Sequence, residues 1–342
     1  MPTYYEPIDP NNDVAVTKTL LHEVIPLTGT IYNESTYGVD NIKNYSHEMF
    51  QSVYDYPYLS SSANHIFDLS VGVDEESVLT GSTNWVQQAK KTNIYNQMAQ
   101  VLLGYTGSAS DGVRKFENDI TLDGVGAMKE VVFVNLSRLV TKDEIKRGSV
   151  SLTIGTGSWA SADAGTKVFN DSAVSISQLG KSVGGTFGQL SGTAGVAGVV
   201  FYQAGIMVLT SSIFDGITDF YSSSAGTSSF ADTLVSSSIT ASCDAFRHRL
   251  VNLQFNNTTE INSNIYFCRM SHNKFNYSSN PTYLSSSKII VKNDDVANPP
   301  VSYVTTIGLY NSQNELLAVA KLSEPLRKDP SNELTLRVRL DF

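Results

Sequence analysis

The sequence contains little cysteine and no long run of apolar residues. Its two cysteines, Cys243 and Cys268, are too few for a disulfide framework or for a zinc site built from cysteine, so we expect both to be reduced, buried thiols. The most apolar stretch, Ala194 to Leu209, contains glycine and glutamine and is shorter than the ~20 residues that a spanning helix needs. Residues 1–16 have neither the basic nor the apolar region of a secretion signal. We therefore expect a protein made in the cytoplasm, with no membrane span.

Positive charge is also scarce. The chain has 24 Lys and Arg against 33 Asp and Glu, which gives a net charge of -9, and its basic residues are scattered along the sequence. A nucleic-acid groove needs clustered positive charge to displace the counterions of the phosphates. The sequence therefore predicts no contact with nucleic acid.

The common catalytic and ligand-binding motifs are missing. The sequence has no GxSxG motif, no phosphate-binding loop followed by lysine and no paired metal-ligand spacing. The acidic stretches Asp74 to Glu76 and Asp294-Asp295 do not match a calcium loop and are typical of solvated turns. The five histidines are isolated from one another: His22, His47, His65, His248 and His272. The sequence thus predicts no catalytic residue, no metal site and no cofactor, and a protein that is not an enzyme.

Alternation of apolar and polar residues predicts a mainly β fold with a few short helices. Val131 to Leu136 and Ser149 to Ile154 have strand patterns, and Val199 to Thr210 reads as a hairpin that turns at Gln203 to Gly205. In the last ten residues, Glu333 to Phe342, the alternation has no fault. We expect this segment to be a central or doubly paired strand whose even-numbered side chains face a core. Further strands are predicted at Leu20 to Ile31, Leu250 to Phe255, Ser263 to Met270, Lys288 to Lys292, Ser302 to Tyr310 and Glu315 to Leu322.

Helices are predicted at three places. Apolar residues recur at helical spacing in Ile42 to Tyr54, and in Gln88 to Leu103, which Gly104 ends. In the second of these, one apolar stripe is expected from Ile94 to Leu102. Thr141 to Glu144 is a capping box that predicts a short helix ending at Arg147.

Changes in composition predict three domains. Residues 1–155 form a mixed α+β part, 156–245 a Gly/Ser-rich β insertion or small β domain, and 246–342 an antiparallel, β-sandwich-like C-terminal part. We expect Trp159 to Gly192 to be peripheral and Ser222 to Ser229 to be a surface loop, because small polar residues bury little apolar area.

Tyrosine is the abundant residue that could serve recognition, since it combines a large apolar ring with a polar tip. We predict an interface at Tyr4, Tyr5, Tyr54, Tyr56 and Tyr58, of which the last three share one face at strand spacing. Half-buried strand packing and a sugar-binding platform are the alternatives. The irregular segment Met1 to Val16 is interpreted as an arm that orders on binding.

Several segments resemble virion structural proteins of T4-like tailed bacteriophages, particularly marine myoviruses. The most specific is LQFNNTTEINSNIYFCRMSHNKFNYSSNPTYL, from Leu253 to Leu284. The others are Met49 to Ser70, Lys91 to Tyr105, Leu139 to Gly155, Gly198 to Phe214 and Ser302 to Phe342. Together they cover well over half of the chain, whereas Trp159 to Gly192 resembles nothing in that group.

The resemblance implies a subunit of the virion tail or baseplate, present in several symmetry-related copies, made in the host cytoplasm and bound to other virion proteins. It brings no catalytic residues. Two readings compete with it: a tail module that binds a host receptor or a surface glycan through tyrosines on loops, and a glycan hydrolase, which would need two carboxylates about 5–9 Å apart.

Overall fold

The computed structural model describes residues 5–28, 41–80, 85–105, 112–136, 140, 144–173, 175–223, 226–277, 284–285, 288–289, 296–297 and 301–342. The prediction of a mainly β fold with few helices is confirmed. The strands are β1 Val14–Thr28, β2 Ile42–Asn44, β3 Gln51–Tyr54, β4 His65–Val73, β5 Glu130–Asn135, β6 Glu144–Ile145, β7 Ser151–Gly155, β8 Thr166–Asp171, β9 Leu179–Ser182, β10 Gly185–Gly192, β11 Gly195–Phe201, β12 Ile206–Thr210, β13 Tyr221–Ser223, β14 Gly226–Ser228, β15 Leu250–Met270, β16 Leu284–Ser285, β17 Lys288–Ile289, β18 Ser302–Tyr310, β19 Leu316–Lys328 and β20 Leu334–Asp341. The α-helices are α1 Trp85–Leu102, α2 Phe230–Ser236 and α3 Ile239–Arg249, and single 3-10 turns lie at Trp159–Ala164, Ile176–Gln178 and Ser211–Phe214.

The chain divides into two compact units. Unit 1 combines Met1–Leu20 with Glu260–Phe342, and unit 2 is Leu21–Thr259. These boundaries differ from the three segments that composition suggests, because they follow contacts between distant parts of the chain. Residues 156–245 lie in unit 2 together with the preceding strands.

Unit 2 is built on one antiparallel sheet. Its strand order is β15-β7-β8-β10-β11-β12-β5-β4-β3-β2, with β6 beside β15 and β9 beside β10. The predicted hairpin of β11 and β12 is confirmed, with Phe201 paired to Ile206, and both strands are almost wholly buried. Their consecutive buried residues are typical of a strand that is covered on both faces.

The prediction that Trp159 to Gly192 is peripheral is wrong. Strands β8 and β10 lie inside the sheet, and Phe169, Phe187 and Leu190 are fully buried. The glycines that resemble loop residues in the sequence serve close packing instead. A Cβ at Gly188 would lie 2.1 Å from the Tyr202 hydroxyl oxygen.

Helix α1 confirms the second predicted helix, and it ends where Gly104 takes a positive φ of 80°. It packs on β4 where Gly72 has no side chain, since a Cβ there would lie 3.1 Å from the Cβ of Tyr95 in α1. The predicted stripe is partly wrong because Val101 is exposed. The buried face instead includes two polar residues, Gln88 and Lys91.

The other two helix predictions are wrong. Ile42 to Tyr54 forms β2 and β3, which pair Ile42 with Val53 after a turn at Glu48, where φ is 55°. The apolar spacing is helical by coincidence, since buried polar residues complete these strands. The Gln51 amide donates to Asp244 Oδ1 at 2.8 Å. Thr141 to Asp143 lie outside the described residues, and Glu144–Ile145 is strand β6 beside β15.

The predicted loop at Ser222 to Ser229 contains the paired strands β13 and β14, with residues 224–225 outside the described part. Two short helices follow, each capped by a serine. Ser229 accepts from the Asp232 amide at 3.2 Å, and Ser238 accepts from the Ala241 amide at 3.2 Å.

Unit 1 contains several antiparallel ladders, among them the short pair of β16 and β17. The end of β15 pairs with β20, so that Met270 lies opposite Leu334, and β18 pairs with β19 in a hairpin. The hairpin turn at residues 311–314 is confirmed, with the Asn311 side chain accepting from the Glu315 amide at 2.8 Å. The predicted strands at Ser302 to Tyr310 and Glu315 to Leu322 are both confirmed. Of the predicted strand Lys288 to Lys292, β17 covers the first two residues, and the rest lies outside the described residues.

The role predicted for the last strand is partly wrong. Strand β20 alternates as expected, but among the described residues it pairs only with β15. Val338 is buried, the remaining even-numbered side chains are half-buried, and Phe342 is 74% exposed. The reason is that unit 1 has little interior for this face to cover.

The hydrophobic core of the described residues runs from Val53 to Phe255 and lies entirely in unit 2. In the described part of unit 1, only Ile265, Met270, Leu309 and Val338 count as buried hydrophobic residues, and each keeps 6–8% of its surface exposed. The described part of unit 1 is therefore rich in surface and has scarcely any core.

Candidate functional site

The β18–β19 hairpin exposes apolar side chains near its turn. Tyr310 and Leu316 face each other across the two strands, and both lie over Gly308, whose missing Cβ would come within 2.8 Å of the Tyr310 ring. Val319 lies opposite Gly308. Tyr5 adds its ring, with its centroid 4.8 Å from that of Tyr310. We define the hairpin patch as Tyr5, Tyr310, Leu316, Leu317 and Val319.

Every residue of the hairpin patch is exposed, from 39% for Tyr5 to 68% for Leu317. Scattered apolar residues on a surface are ordinary, whereas a contiguous group is typical of an interaction site. Aromatic rings beside aliphatic side chains are the composition that protein interfaces favour. The hairpin patch is therefore the best candidate interaction surface in unit 1.

A cleft of about 840 Å³ borders the hairpin patch within unit 1. Its walls come from residues 5–8, from β15 at Phe267 to Met270 and from β18 at Val304 to Tyr310. Two ion pairs lie among the segments that form it: Asp13 with Arg269 at 2.7 Å, and Glu6 with Lys274 at 2.5 Å. The predicted C-terminal sandwich thus has an open cleft where a packed core would be expected.

Of the two predicted N-terminal interface residues, the structure describes one. Tyr5 contacts Tyr310 and belongs to the hairpin patch, and Tyr4 lies outside the described residues. Residues 5–13 are also held in unit 1 by the Glu6–Lys274 ion pair and by a turn in which Asp9 accepts from the Asn11 amide at 3.0 Å. Residues 5–13 of the predicted arm thus contact the rest of unit 1.

The three tyrosines predicted in unit 2 do not share one strand. Tyr54 ends β3, whereas Tyr56 and Tyr58 lie in the loop that follows. Tyr54 and Tyr58 nevertheless meet, with ring centroids 6.2 Å apart, and Tyr54 also contacts the His65 ring at 5.3 Å. Tyr56 is 59% exposed. The loop thus presents one free aromatic side chain beside a packed pair.

This loop is fixed at its base by Asp55 and Asn64. The Asp55 carboxylate accepts from the Asn64 amide nitrogen at 2.6 Å and from its side chain at 2.8 Å. Partial burial acts to raise the pKa of Asp55, but the hydrogen bonds from Asn64 outweigh it, and the pKa is lowered from its usual value. The exposed tyrosine is therefore carried on a defined loop.

Ser52, Asp68 and His65 come together near these tyrosines, but not in the order that nucleophilic catalysis needs. Ser52 Oγ donates to Asp68 Oδ1 at 2.5 Å, and His65 Nε2 lies 2.7 Å from the same oxygen. A catalytic triad places the histidine between the other two, so that it can take the serine proton. Here the aspartate is central and Ser52 is buried, so the group resembles a structural hydrogen-bond cluster.

Two buried cations of unit 2, Arg249 and Lys91, bind backbone carbonyls. Arg249 donates to the carbonyl oxygens of Gly157 and Asp219, each at 2.8 Å. Lys91 donates to those of Leu234 and Ser237 at the end of α2. Burial lowers the pKa of Arg249, and it lowers the pKa of Lys91 to about 8. Such contacts tie loops and helix ends to the sheet.

No group of three His, Cys, Asp or Glu side chains within the described ranges is arranged to hold a metal ion. Of the acids weighed as calcium ligands, Asp74 is buried and pairs with Lys115 at 2.8 Å. That ammonium group already supplies the positive charge which a cation would bring. Asp294 and Asp295 lie outside the described residues. Both cysteines are free, Cys243 buried and Cys268 half-buried.

Charge is divided unevenly between the units. Unit 1 contains ten Lys and Arg and eleven Asp and Glu, a net charge of -1, and unit 2 carries the remaining -8 of the total of -9. The hairpin patch therefore belongs to the nearly neutral unit. Strong like-charge repulsion would not oppose contact through that unit.

Sequence reasoning missed the hairpin patch except for Tyr5. Leu316, Leu317 and Val319 do not alternate with polar residues, and among the described residues no layer covers them. The available signal was three apolar residues within four positions directly after a hairpin turn, which is unusual for a strand with one buried face.

Comparison with protein-family models, with curated proteins and with solved structures finds no match for this chain. Over the residues that the structure describes, no helix has both the length and the apolar character needed to cross a membrane.

Proposed function

We propose that the chain is a structural subunit of a tailed-phage virion, in its tail or baseplate, and that it acts through protein–protein contacts. The observation that carries this proposal is the contrast between the two units. Unit 2 has a continuous core, whereas the described part of unit 1 buries few hydrophobic side chains and exposes the hairpin patch. A module that folds with its apolar side chains outward is suited to binding another protein.

The size of the exposed apolar area fits this role. Scaling the exposed fractions of the hairpin patch by ~150–250 Å² for each aromatic side chain, and somewhat less for each aliphatic one, gives on the order of 500 Å². A specific interface buries about 800 Å² on each partner. The hairpin patch would thus form the anchor of an interface whose rim includes polar neighbours such as Glu315 and Lys321.

The resemblance of Leu253 to Leu284 and of Ser302 to Phe342 to virion proteins of T4-like phages supports the same role. Both segments contribute to unit 1, which holds the end of β15 and the β18–β19 hairpin. In this proposal the partners are other virion proteins, and the subunit is present in several symmetry-related copies.

Site-specific photo-crosslinking in assembled particles tests the proposal. A photoreactive amino acid replaces Tyr310 in the hairpin patch, and the matched control replaces Val125, an exposed residue in a loop of unit 2. We expect virions to contain the chain and Tyr310 to cross-link to virion protein far more than Val125 does. Absence of the chain from purified virions, or equal yields at the two positions, would contradict the proposal.

A glycan-binding tail module is the second candidate, and the exposed Tyr56 ring beside the Tyr54–Tyr58 pair favours it. Aromatic rings on a fixed loop can stack on sugar rings. Binding of the purified chain to an array of bacterial surface glycans, lost in Tyr56→Ala, would support this candidate. Binding that persists in the variant would exclude this loop as the glycan site.

A further inference from the structure

Strand β19 is an exposed edge. It pairs with β18 on one side, and no described residue pairs with its other side. Leu316, Leu317 and Val319 are each more than half exposed on it. A long apolar edge with unpaired backbone groups is a template for pairing with another chain, and natural proteins usually protect such edges.

Proline blocks pairing of β19 only late in the strand. Pro325 lacks an amide hydrogen and so cannot donate to a neighbouring strand, and charged residues follow it. Residues 315–323 carry no proline and no glycine. Within this stretch Leu317 is an extra residue between the pairs Tyr310–Leu316 and Leu309–Ala318, and regular pairing with β18 covers Ala318 to Lys321. The nine residues are the part of the edge in which no proline blocks pairing.

We propose that residues 315–323 pair antiparallel with the same residues of a second copy of this chain, across a two-fold axis at Ala318. This inference rests on the proposed function, because it names one partner of the subunit and the surface that binds it. The two copies would join their hairpins into one continuous four-stranded sheet.

The residue types of the edge are self-complementary about Ala318. In a two-fold contact each residue meets its mirror position in the other copy. Leu317 then lies opposite the partner's Val319, and Leu316 lies opposite the partner's Ala320. Glu315 lies opposite the partner's Lys321, and the symmetry produces this ion pair twice. Opposite charges and apolar pairs that face each other directly are the contacts which stabilise neighbouring strands.

Neighbouring registers lose this match. An axis at Leu317 places Glu315 opposite the partner's Val319, and an axis at Val319 places Leu317 opposite the partner's Lys321. Each sets a charge against an apolar side chain. A shift of the axis by one residue is therefore less favourable, and the facing side chains fix the register of the two strands.

The charges needed for the contact are available. Lys321 is exposed and has no ion pair with any described residue. Glu315 is exposed, and its only side-chain contact among the described residues is a hydrogen bond from the Asn311 amide at 2.8 Å. Unit 1 as a whole has a net charge of -1, so an edge in this unit allows two acidic chains to approach.

The dimer should be weak in isolation. Each backbone hydrogen bond contributes about 1 kcal/mol net, and one added edge buries less than a standard interface. We expect a dissociation constant in the micromolar range. In an assembly that holds copies side by side, the high effective concentration would make the same contact persistent.

Sedimentation equilibrium of the full chain at ~1–100 μM tests the pairing by charge exchange. We expect the wild-type chain to dimerise, Glu315→Lys and Lys321→Glu each to weaken the dimer at least tenfold, and the double variant to restore it. Restoration is the decisive readout, because damage to the fold by either change would not be repaired by the other.

Val319→Lys and Val168→Lys form a matched control pair. Both valines are exposed strand residues, 51% in β19 and 44% in β8. The first change should abolish the dimer and the second should leave it intact. A wild-type chain that stays monomeric, or a double variant that stays as weak as the single ones, would overturn the inference. A monomeric chain that still cross-links to other virion proteins would overturn the inference alone and leave the proposed function standing.

Discussion

At the scale of single residues, the buried cation Lys91 links α1 to the end of α2 without a carboxylate partner among the described residues. Lys91 reaches the carbonyl oxygens of Leu234 and Ser237, and its neighbour on the helix face, Gln88, donates to Leu234 and Val235. Together they satisfy carbonyls at the end of α2 that have no partner within the helix. This arrangement costs free energy of hydration, because it removes an ammonium group from water.

The depressed pKa of Lys91 makes stability depend on pH. Burial lowers this pKa to about 8, against 10.5 in the unfolded chain. Between these values the unfolded state binds a proton that the folded state does not, so the free energy of unfolding attributable to Lys91 rises with pH across this window. The full rise is about 3 kcal/mol. Burial also raises the pKa of Cys243, and this opposes the rise once the unfolded thiol ionises.

A comparison of variants separates the contribution of Lys91 to the pH dependence of stability from the contribution of Cys243. We expect the difference in unfolding free energy between wild type and Lys91→Met to change in favour of the wild type from pH 7 to pH 10. Lys90→Met is the control, since Lys90 lies at the surface and pairs with Glu48 at 3.1 Å. Urea unfolding at several pH values measures both. A difference that is the same for Lys91→Met and Lys90→Met at every pH would refute the assignment.

The candidate site was only partly predictable at this scale. Composition pointed to tyrosine, and Tyr5 and Tyr56 are indeed exposed. The prediction that Tyr54, Tyr56 and Tyr58 share one face of a strand is wrong, because β3 ends at Tyr54 and the other two lie in a loop. Spacing in sequence says which residues share a face only while the strand continues.

At the scale of elements, β11 depends on a bulge at Gly198. Leu190 pairs with Gly198 and Ser191 with Val196, so one extra residue of β11 is accommodated there. Gly198 has a φ of 146°, and a Cβ on it would lie 1.9 Å from the Val208 carbonyl oxygen. Both the conformation and the close approach require glycine.

Gly198→Ala should therefore cost clearly more stability than a glycine replacement without a close neighbour. We expect a loss of at least about 3 kcal/mol, from strain and from displacement of β12. The control is Gly195→Ala, which also has a positive φ, of 107°, but has nothing within 4 Å of the added Cβ. Its loss should be about 1–2 kcal/mol. Equal losses in urea unfolding would show that the close approach to β12 is unimportant.

Half of the strands could be predicted from the sequence, and the errors have identifiable causes. Hairpins with a clear turn, such as β11–β12 and β18–β19, were predicted because alternation and turn residues agree. Ile42 to Tyr54 was misread as a helix because Gln51 and Ser52 are buried through hydrogen bonds that no hydrophobic pattern reveals. The helix α2 was missed although Ser229 and Asp232 form a capping pattern before it.

At the scale of the whole molecule, stability is unevenly distributed. The core of the described residues lies in unit 2, and the β18–β19 hairpin has a free edge and an exposed patch. Domain boundaries could not be read from composition, because unit 1 joins residues from both ends of the sequence. A change in composition shows only that neighbouring segments differ in residue types, whereas compact units are defined by contacts between distant residues.

Hydrogen exchange should reveal this contrast. In the isolated chain we expect amides of β5, β11 and β12 to exchange only on global unfolding, and amides of β19 to exchange orders of magnitude faster. In purified virions β19 should become protected, while β12 changes little and serves as the internal control. Exchange of β19 as slow as that of β12 in the isolated chain would contradict the view of unit 1 as a module completed by its partners.

The assembly of unit 1 from distant segments has a consequence for synthesis. The ribosome delivers all of unit 2 before residues 260–342, with which residues 5–13 make their contacts. The nascent chain can therefore collapse around its core while the β18–β19 hairpin has not yet been translated. Neighbouring chains on one messenger RNA would be kept from cross-pairing until the hairpin of each has been translated. The order of translation would therefore let unit 2 fold before the edge that pairs with another chain has been made.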